Sequence, residues 1–223
     1  YDRLIGAVLL EILEPLLDPV LHPFQHGYRS TYVAGRKTEI PGFKGIPRGS
    51  TEIVARRLLR AYRGGHVYLL EYDIKNAFPS VIRNILKDML IEDGCPPAFA
   101  KQIIRCLGTE AVDPEQGGEI KPVTGIPLGN PVGPLLFNFY VQILHQAAKP
   151  NVMITSYADN FFFASKTEND LDQAGDKFQG LLEEIKLRAK EEKRFFPGDD
   201  NPTFVILNDW EIKKEGLLIP RGT

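Results

Sequence analysis

Two aspartates sit where a carboxylate would be held on a rigid element with little else to do. Asp159 lies in Tyr157-Ala158-Asp159-Asn160, between two runs, residues 151–156 and 161–165, rich in β-branched and aromatic side chains. That pattern predicts a β-hairpin with Ala-Asp or Asp-Asn at its turn. Taken alone the tetrapeptide reads first as an ordinary turn, because Asp and Asn are common turn formers. Asp73 ends a hydrophobic run, residues 66–73, before the chain turns through residues 74–78 into helical sequence. An acid at the C-terminal end of a buried strand is a favoured ligand position. If the two strands are neighbours in one sheet, both carboxylates meet at one edge and can share two Mg²⁺ ions. Magnesium takes one or two carboxylates plus substrate phosphates rather than a closed protein cage. Two such ions, ~3.5–4 Å apart, stabilise the attacking and leaving oxygens of an in-line phosphoryl displacement. Between the aspartates lies Gly125-Ile126-Pro127-Leu128-Gly129-Asn130-Pro131-Val132-Gly133-Pro134, a loop whose amides can approach a nucleotide or base closely.

The elements that must position these residues follow from periodicity. Residues 4–17 predict a helix with Leu4, Val8, Leu9, Ile12, Leu13 and Leu16 on one face, closed by Pro15 and Pro19. Residues 36–50, rich in Gly, Pro and basic side chains, predict irregular structure. Ser50 or Thr51 caps a second helix that Gly64-Gly65 ends. Its Arg56, Arg57, Arg60 and Arg63 fit a solvated face and a nucleic-acid surface equally. Ser80 should start a helix through Ile91, with another over residues 97–107 and a hairpin about Gly117-Gly118. Asn130 and Pro131 suit the cap and first position of a helix running to about Ala148. Residues 171–185 form a long amphipathic helix with a charged tail to Arg194, and two strands, 203–207 and 211–219, finish the chain. This order implies an α+β fold, helices packed on one face of a mostly antiparallel sheet.

Composition bounds the rest. The chain has 223 residues, 43% hydrophobic and 25% charged, enough for one large domain or two lobes. A net charge of −2 does not by itself mark a nucleic-acid binder. Cys95 and Cys106 are spaced for neither a zinc site nor a redox pair, which fits an intracellular, reducing compartment. No apolar run reaches the ~18 residues of a membrane span, so no membrane partner is expected. The start at Tyr1 rather than Met suggests a fragment or a processed product.

Taken together the motifs become recognisable. Asp73-Ile74-Lys75-Asn76-Ala77-Phe78 resembles the first palm motif of reverse transcriptases. Gly125-Ile126-Pro127-Leu128-Gly129, continued by Pro134-Leu135-Leu136-Phe137-Asn138-Phe139-Tyr140, resembles the second. Tyr157-Ala158-Asp159-Asn160 resembles the third, usually Tyr-x-Asp-Asp. Asp2-Arg3, Leu13-Glu14-Pro15 and His26-Gly27-Tyr28-Arg29-Ser30 resemble finger motifs of the group II intron type. Residues 187–193 resemble the segment carrying the palm lysine, and Trp210-Glu211-Ile212 with Glu215-Gly216-Leu217 the primer-grip hairpin. Gly129-Asn130 is also similar to diversity-generating enzymes, and Phe78-Pro79-Ser80 to those and to retron enzymes.

The resemblance implies a right-hand polymerase core: partial helical fingers over residues 1–65 and a palm over 66–223, with finger-side helices in 80–123 and a primer-grip-like hairpin at 203–219. It implies RNA-directed DNA polymerase activity, nucleotidyl transfer to a primer 3′-OH. Asp73 and Asp159 would hold two Mg²⁺ (or Mn²⁺), joined by the Ile74 carbonyl and the Asn160 amide oxygen. Lys193 would protonate the leaving pyrophosphate. Phe78 would block a ribose 2′-OH, Gly129 and Asn130 would line the base-pair pocket, and Arg29 would contact nucleic acid or the triphosphate unless it is a plain loop arginine. Tyr157, Leu128 and Trp210 would contact primer or template. The implied partners are an RNA template, a DNA or RNA primer and dNTPs.

Three departures qualify this. Asn160 stands for the usual second aspartate and removes one negative charge from the site. Leu128 stands for a frequent glutamine. The basic finger strand would lie upstream of Tyr1 and no thumb follows Thr223, so further domains or subunits are expected to supply both. Two other readings follow: a catalytically impaired RNA-binding or assembly module, and a divergent viral RNA-dependent RNA polymerase. Phe78 argues against the second, which commonly carries a polar residue there.

Overall fold

The computed structural model describes residues 2–33, 35–108, 110–113, 119–122, 124–197 and 203–221. Gly117 and Gly118, at the expected hairpin turn, lie outside them; the flanking strands do pair as expected, Glu110–Asp113 (β4) with Glu119–Pro122 (β5).

The chain opens with α1 (Asp2–Leu17), a short 3₁₀ turn Asp18–Val20, a two-stranded ribbon β1 (Tyr32–Val33) and β2 (Arg36–Lys37), and α2 (Thr51–Arg63). Then come β3 (Tyr68–Ile74), the single turn α3 (Ala77–Ser80), α4 (Arg83–Glu92), α5 (Pro97–Cys106) and the β4–β5 ribbon. Helix α6 (Gly133–Val141) tightens into 3₁₀ geometry over Gln142–Ala147. Strands β6 (Val152–Tyr157) and β7 (Asn160–Ser165), α7 (Glu168–Glu184), β8 (Ala189–Phe195), and β9 (Thr203–Ile206), β10 (Trp210–Lys213) and β11 (Leu218–Pro220) complete it.

The central sheet is antiparallel, in the order β6-β7-β3-β8. Its central strands are buried on both faces, which explains why residues 68–74 and 160–165 read as near-continuous apolar runs. One face carries Leu70, Tyr72, Ile74, Phe161 and Phe163 into the larger core, against α1, α4, α5, α6 and α7. The other carries Leu69, Phe162, Ala164 and Phe195 against Val54, Ala55, Leu58 and Tyr62 of α2 and against Phe204, Ile206 and Ile212 of the β9–β11 sheet. The α+β architecture is as the sequence implies, but α2 packs on the second face rather than joining the others. Ser50 caps α2 by accepting from the Glu52 amide at 3.1 Å, and Thr167 caps α7 by accepting from that of Asp170 at 3.1 Å.

Several boundaries differ from the sequence reading. Pro15 lies inside α1 instead of ending it; in the last turn it forfeits only one backbone bond. Leu4, Val8, Ile12 and Leu16 face outward, while Leu9, Leu13 and Leu17 enter the core. Ser80 ends a one-turn helix and the next begins at Arg83. The Asn130 side chain caps a turn, accepting from the Val132 amide at 3.1 Å, and α6 starts only at Gly133. The charged tail 189–195 is the edge strand β8, charged from Lys190 to Arg194 as an edge tolerates. The last segment forms three strands rather than two.

Candidate active site

The β6–β7 hairpin turns through Ala158-Asp159, Tyr157 pairing with Asn160 across it. Ala158 takes φ +54°, a left-handed conformation unfavourable for a residue with a Cβ. The hairpin tip meets the C-terminal end of β3: Asp73 lies level with Asn160, and the Ile74 amide donates to the Asp159 carbonyl at 3.0 Å. Asp73 and Asp159 are therefore brought together at one sheet edge. Burial raises the Asp73 carboxyl above the ordinary range; the Asp159 and Glu192 charges add to this, and Lys190 opposes it. Two mutually repelling carboxylates at one edge are a fitting donor set for a divalent cation, which would relieve that repulsion. Among the described residues no cluster of three or more His, Cys, Asp or Glu side chains forms a closed cage, so a bound ion would need its remaining oxygens from backbone, water or substrate phosphate. Ile74 shares this edge, and the Asn160 Nδ2 donates to Asp159 Oδ1 at 3.3 Å.

The glycine loop is locked to the same edge. The Ile126 amide donates to the Phe78 carbonyl at 2.9 Å. Gly125 has φ +65° and touches the Phe78 and Pro79 carbonyls so closely that an added Cβ would lie 2.4 Å from each oxygen. The half-buried Phe78 ring stacks on Phe137 of α6 at 4.7 Å. Beyond it Leu128 is 77% exposed and Gly129 turns with φ +80°, beside Arg3. Asn130 follows, its side-chain oxygen committed to its own turn.

The loop of residues 24–29 holds the hairpin next to its tip. The His26 amide donates to the Ser156 carbonyl and the Ser156 amide to the Phe24 carbonyl, both at 2.9 Å. Gly27 lies flush against the turn, where a Cβ would sit 2.1 Å from the Ala158 nitrogen. Asn138, on α6, donates to the Gly27 carbonyl at 2.7 Å and accepts from Gln25 Nε2 at 3.1 Å. Tyr28, 53% exposed, is edge-on to Phe78 at 6.1 Å. Burial first, then the Asp159 charge and Tyr157, raises its phenol pKa.

Other expected site residues are placed differently. Arg29 does not face the site: it is 8% exposed, bonded through Nε to Asp18 Oδ1 at 2.8 Å and through its other nitrogens to the Asp18, His22 and Gln25 carbonyls. Its role here is to tie the loop together. Lys193 lies opposite Glu71 with Nζ 3.2 Å from Oε2, whereas Lys190 is the lysine level with Asp73. The bulge between Glu71 and Tyr72 sets that offset. Tyr157 is half-buried beside the tip, its phenol raised by burial and then by Asp209. The Trp210 indole N–H is taken up by Thr51 Oγ1 at 3.3 Å. The arginines of α2 make internal contacts: Arg57 and Arg60 lie over the Phe43 ring, Arg57 also over Phe24, Arg63 donates to the Gly216 carbonyl, and Arg56 pairs with Glu52. Sequence reasoning missed Tyr28, Lys190 and Asn138 as site-forming groups. The largest cavity described, about 910 Å³, is lined by residues such as Met89, Phe139 and Ile185 and includes neither aspartate.

Residues 1–205 match the family model "Reverse transcriptase (RNA-dependent DNA polymerase)". No curated protein matches the chain. Solved structures with a similar fold include telomerase from Candida albicans in complex with a fragment of telomeric RNA, at 12% identity and TM-score 0.60 over 78% of this chain and 34% of that one. Apo telomerase from Candida tropicalis truncated from its C-terminal domain matches at 11% identity and TM-score 0.57, over 99% of this chain and 45% of that one. The chain thus spans less than half the length of these telomerases.

Proposed function

Because the chain belongs to the reverse transcriptase (RNA-dependent DNA polymerase) family, we propose that it is the fingers–palm core of an RNA-directed DNA polymerase. It would add deoxynucleotides to a primer 3′-OH on an RNA template. The observation that carries this reading is the register that sets Asp73 level with Asn160 and bonds Ile74 to Asp159, so that the two acids meet at one edge. Residues 1–65 act as partial fingers and 66–223 as palm, with strands 203–220 as the primer-grip sheet. Two Mg²⁺ ions, or Mn²⁺, held by Asp73, Asp159 and the Ile74 carbonyl, would supply activation of the 3′-OH and charge neutralisation at the phosphates. The residues themselves do the rest. Phe78, braced by Phe137, presents a rigid wall to the sugar and excludes a 2′-OH. Gly129 and the exposed Leu128 lie under the templating pair, with Asn130 shaping their turn. Tyr157 touches the primer end, and Trp210 acts there by anchoring β10 to α2. Lys193 remains the proposed proton donor to pyrophosphate, with Lys190 the nearer cation to Asp73. Further domains or subunits supply the remaining phosphate contacts, and the two free cysteines fit a reducing intracellular compartment.

Primer extension on RNA and DNA templates, with dNTPs or rNTPs and Mg²⁺ or Mn²⁺, tests this directly. DNA product that vanishes in Asp73→Ala supports the reading. Preferential ribonucleotide incorporation would point to an RNA polymerase instead. Asn160 favours one further reading, a weakened enzyme retained for RNA binding or assembly; template binding without any extension would select it.

A further inference from the structure

We propose that Tyr28 is a second sugar-contacting residue of the nucleotide site, extending the aromatic wall that Phe78 begins; this rests on the sugar-facing reading of Phe78 given above. Four observations carry it. First, Tyr28 is the one exposed residue between buried anchors. Gly27 is pinned by Asn138 and by close contact with Ala158, and Arg29 is held through Asp18 and two backbone carbonyls. The loop therefore presents this side chain from a fixed base, as a binding group requires. Second, its backbone φ is +58°, a conformation rare for bulky residues and easy for glycine. Strain of this kind clusters at functional sites, where the surrounding structure over-determines it. Third, the ring stands edge-on to Phe78 at 6.1 Å, and Phe78 is stacked on Phe137 at 4.7 Å. The three form a row that is buried at one end and open at the Tyr28 end. Fourth, the loop that carries Tyr28 is bonded to β6 just before the hairpin tip, the His26 amide donating to the Ser156 carbonyl at 2.9 Å, so Tyr28 stands beside the Asp159 turn.

A nucleoside triphosphate with its phosphates at the Asp73–Asp159 edge and its sugar against Phe78 would meet this ring next. An aromatic ring against a sugar excludes water and limits the space for a 2′ substituent. The phenol O–H can also donate to a sugar hydroxyl. Tyr28 is thus assigned to specificity, not to proton transfer.

The left-handed backbone makes the test clean, because Tyr28→Gly deletes the ring at a position where glycine relieves strain. Wild type, Tyr28→Gly, Tyr28→Phe and Phe78→Ala are each bound to a primer–template ending in a dideoxynucleotide, and dGTP and GTP are titrated with Mg²⁺. The expected wild-type preference for dGTP falls at least fivefold in Tyr28→Gly. It falls less than twofold in Tyr28→Phe if the ring makes the contact, and comparably to Tyr28→Gly if the hydroxyl does. The Tyr28→Gly melting temperature should equal or exceed that of wild type. A Tyr28→Gly protein that keeps the full preference, while Phe78→Ala loses it, overturns the inference and leaves the polymerase reading standing. A wild type with no sugar preference overturns the role of both rings; one that, with the domains flanking this chain restored, neither binds triphosphate nor extends a primer overturns the polymerase reading itself.

Discussion

At the scale of single residues, Asn160 is the position that bears most directly on the proposed metal site. Its amide donates to Asp159 Oδ1 and partly compensates that charge without an ion. Asn160→Asp replaces a donor by a third negative group beside Asp73 and Asp159. Metal-free protein should lose about 1 kcal/mol, the order of one ordinary hydrogen bond, and regain it in Mg²⁺. Melting in chelator and in Mg²⁺ checks the first part. The second part is a several-fold lower Mg²⁺ concentration at half-maximal primer extension. Arg29 makes the opposite point. From sequence it resembles a phosphate-binding loop arginine; in the structure it is a buried fork bonded to Asp18, which also pairs with Arg48 at 2.6 Å. Arg29→Ala should cost about 3 kcal/mol in urea unfolding, because it breaks a buried ion pair from one side. Arg29→Lys should recover little, since a lysine cannot reproduce the planar array of donors. An arginine's sequence neighbours do not reveal whether an acid elsewhere will bury it, and that is why this role was illegible.

At the scale of elements, the catalytic strands were legible because their apolar runs, turn residues and acids coincide. The orientation of α1 was not. Its apolar positions occupy both faces, so periodicity alone could not choose which of them the sheet would cover. The packing decides: Leu9, Leu13 and Leu17 are buried, whereas Val8 and Ile12 are 52% and 47% exposed. Leu13→Ala should therefore cost about 2–5 kcal/mol. Val8→Lys and Ile12→Glu should each stay within about 0.5 kcal/mol of wild type. Chemical denaturation distinguishes the two faces, and equal losses at positions 8 and 13 would contradict the packing. Strand β8 was hidden for a different reason: as an edge it can be charged nearly throughout, so its composition resembles a solvated tail. Between elements, Gly27 joins the finger loop to the hairpin tip. Gly27→Ala places a methyl where the Ala158 backbone already is. It should cost about 1–3 kcal/mol as overpacking and reduce extension more than stability suggests, because the displaced atoms carry Asp159. Extension rates compared at matched folded fraction separate the two effects.

At the scale of the whole molecule, the sheet is covered on both faces, and the N-terminal region is joined to it by more than apolar contact. His22 stacks on His145 with ring centroids 4.0 Å apart, and His145 Nε2 lies 3.0 Å from Ser156 Oγ on β6. His26, fully buried, accepts a hydrogen bond from Arg57 Nε at 2.9 Å. The bond from Arg57 requires a neutral His26 imidazole, since its Nε2 accepts. Burial, and then the Arg57 charge, lowers the His26 pKa to about 3; burial, and then His22 and His26, holds His145 well below the ordinary histidine value. A depressed folded pKa means that the unfolded chain binds more protons as pH falls. This stability is fully present above about pH 6.5 and is lost progressively toward pH 3. At about 1.4 kcal/mol per unit, His26 alone should cost about 2 kcal/mol between pH 6.5 and pH 5. His145 acts in the same direction. The urea midpoint should therefore drop over this interval, before most carboxylates titrate, and His26→Gln, which keeps a neutral acceptor for Arg57, should flatten part of the slope. A midpoint that is level from pH 7.5 to pH 5 would show that these rings are not held neutral. Because the Ser156 backbone bonded by this region leads directly to Tyr157 and Asp159, acid should impair primer extension at urea-free pH 5 together with stability, through the tip rather than through protonation of Asp73 and Asp159.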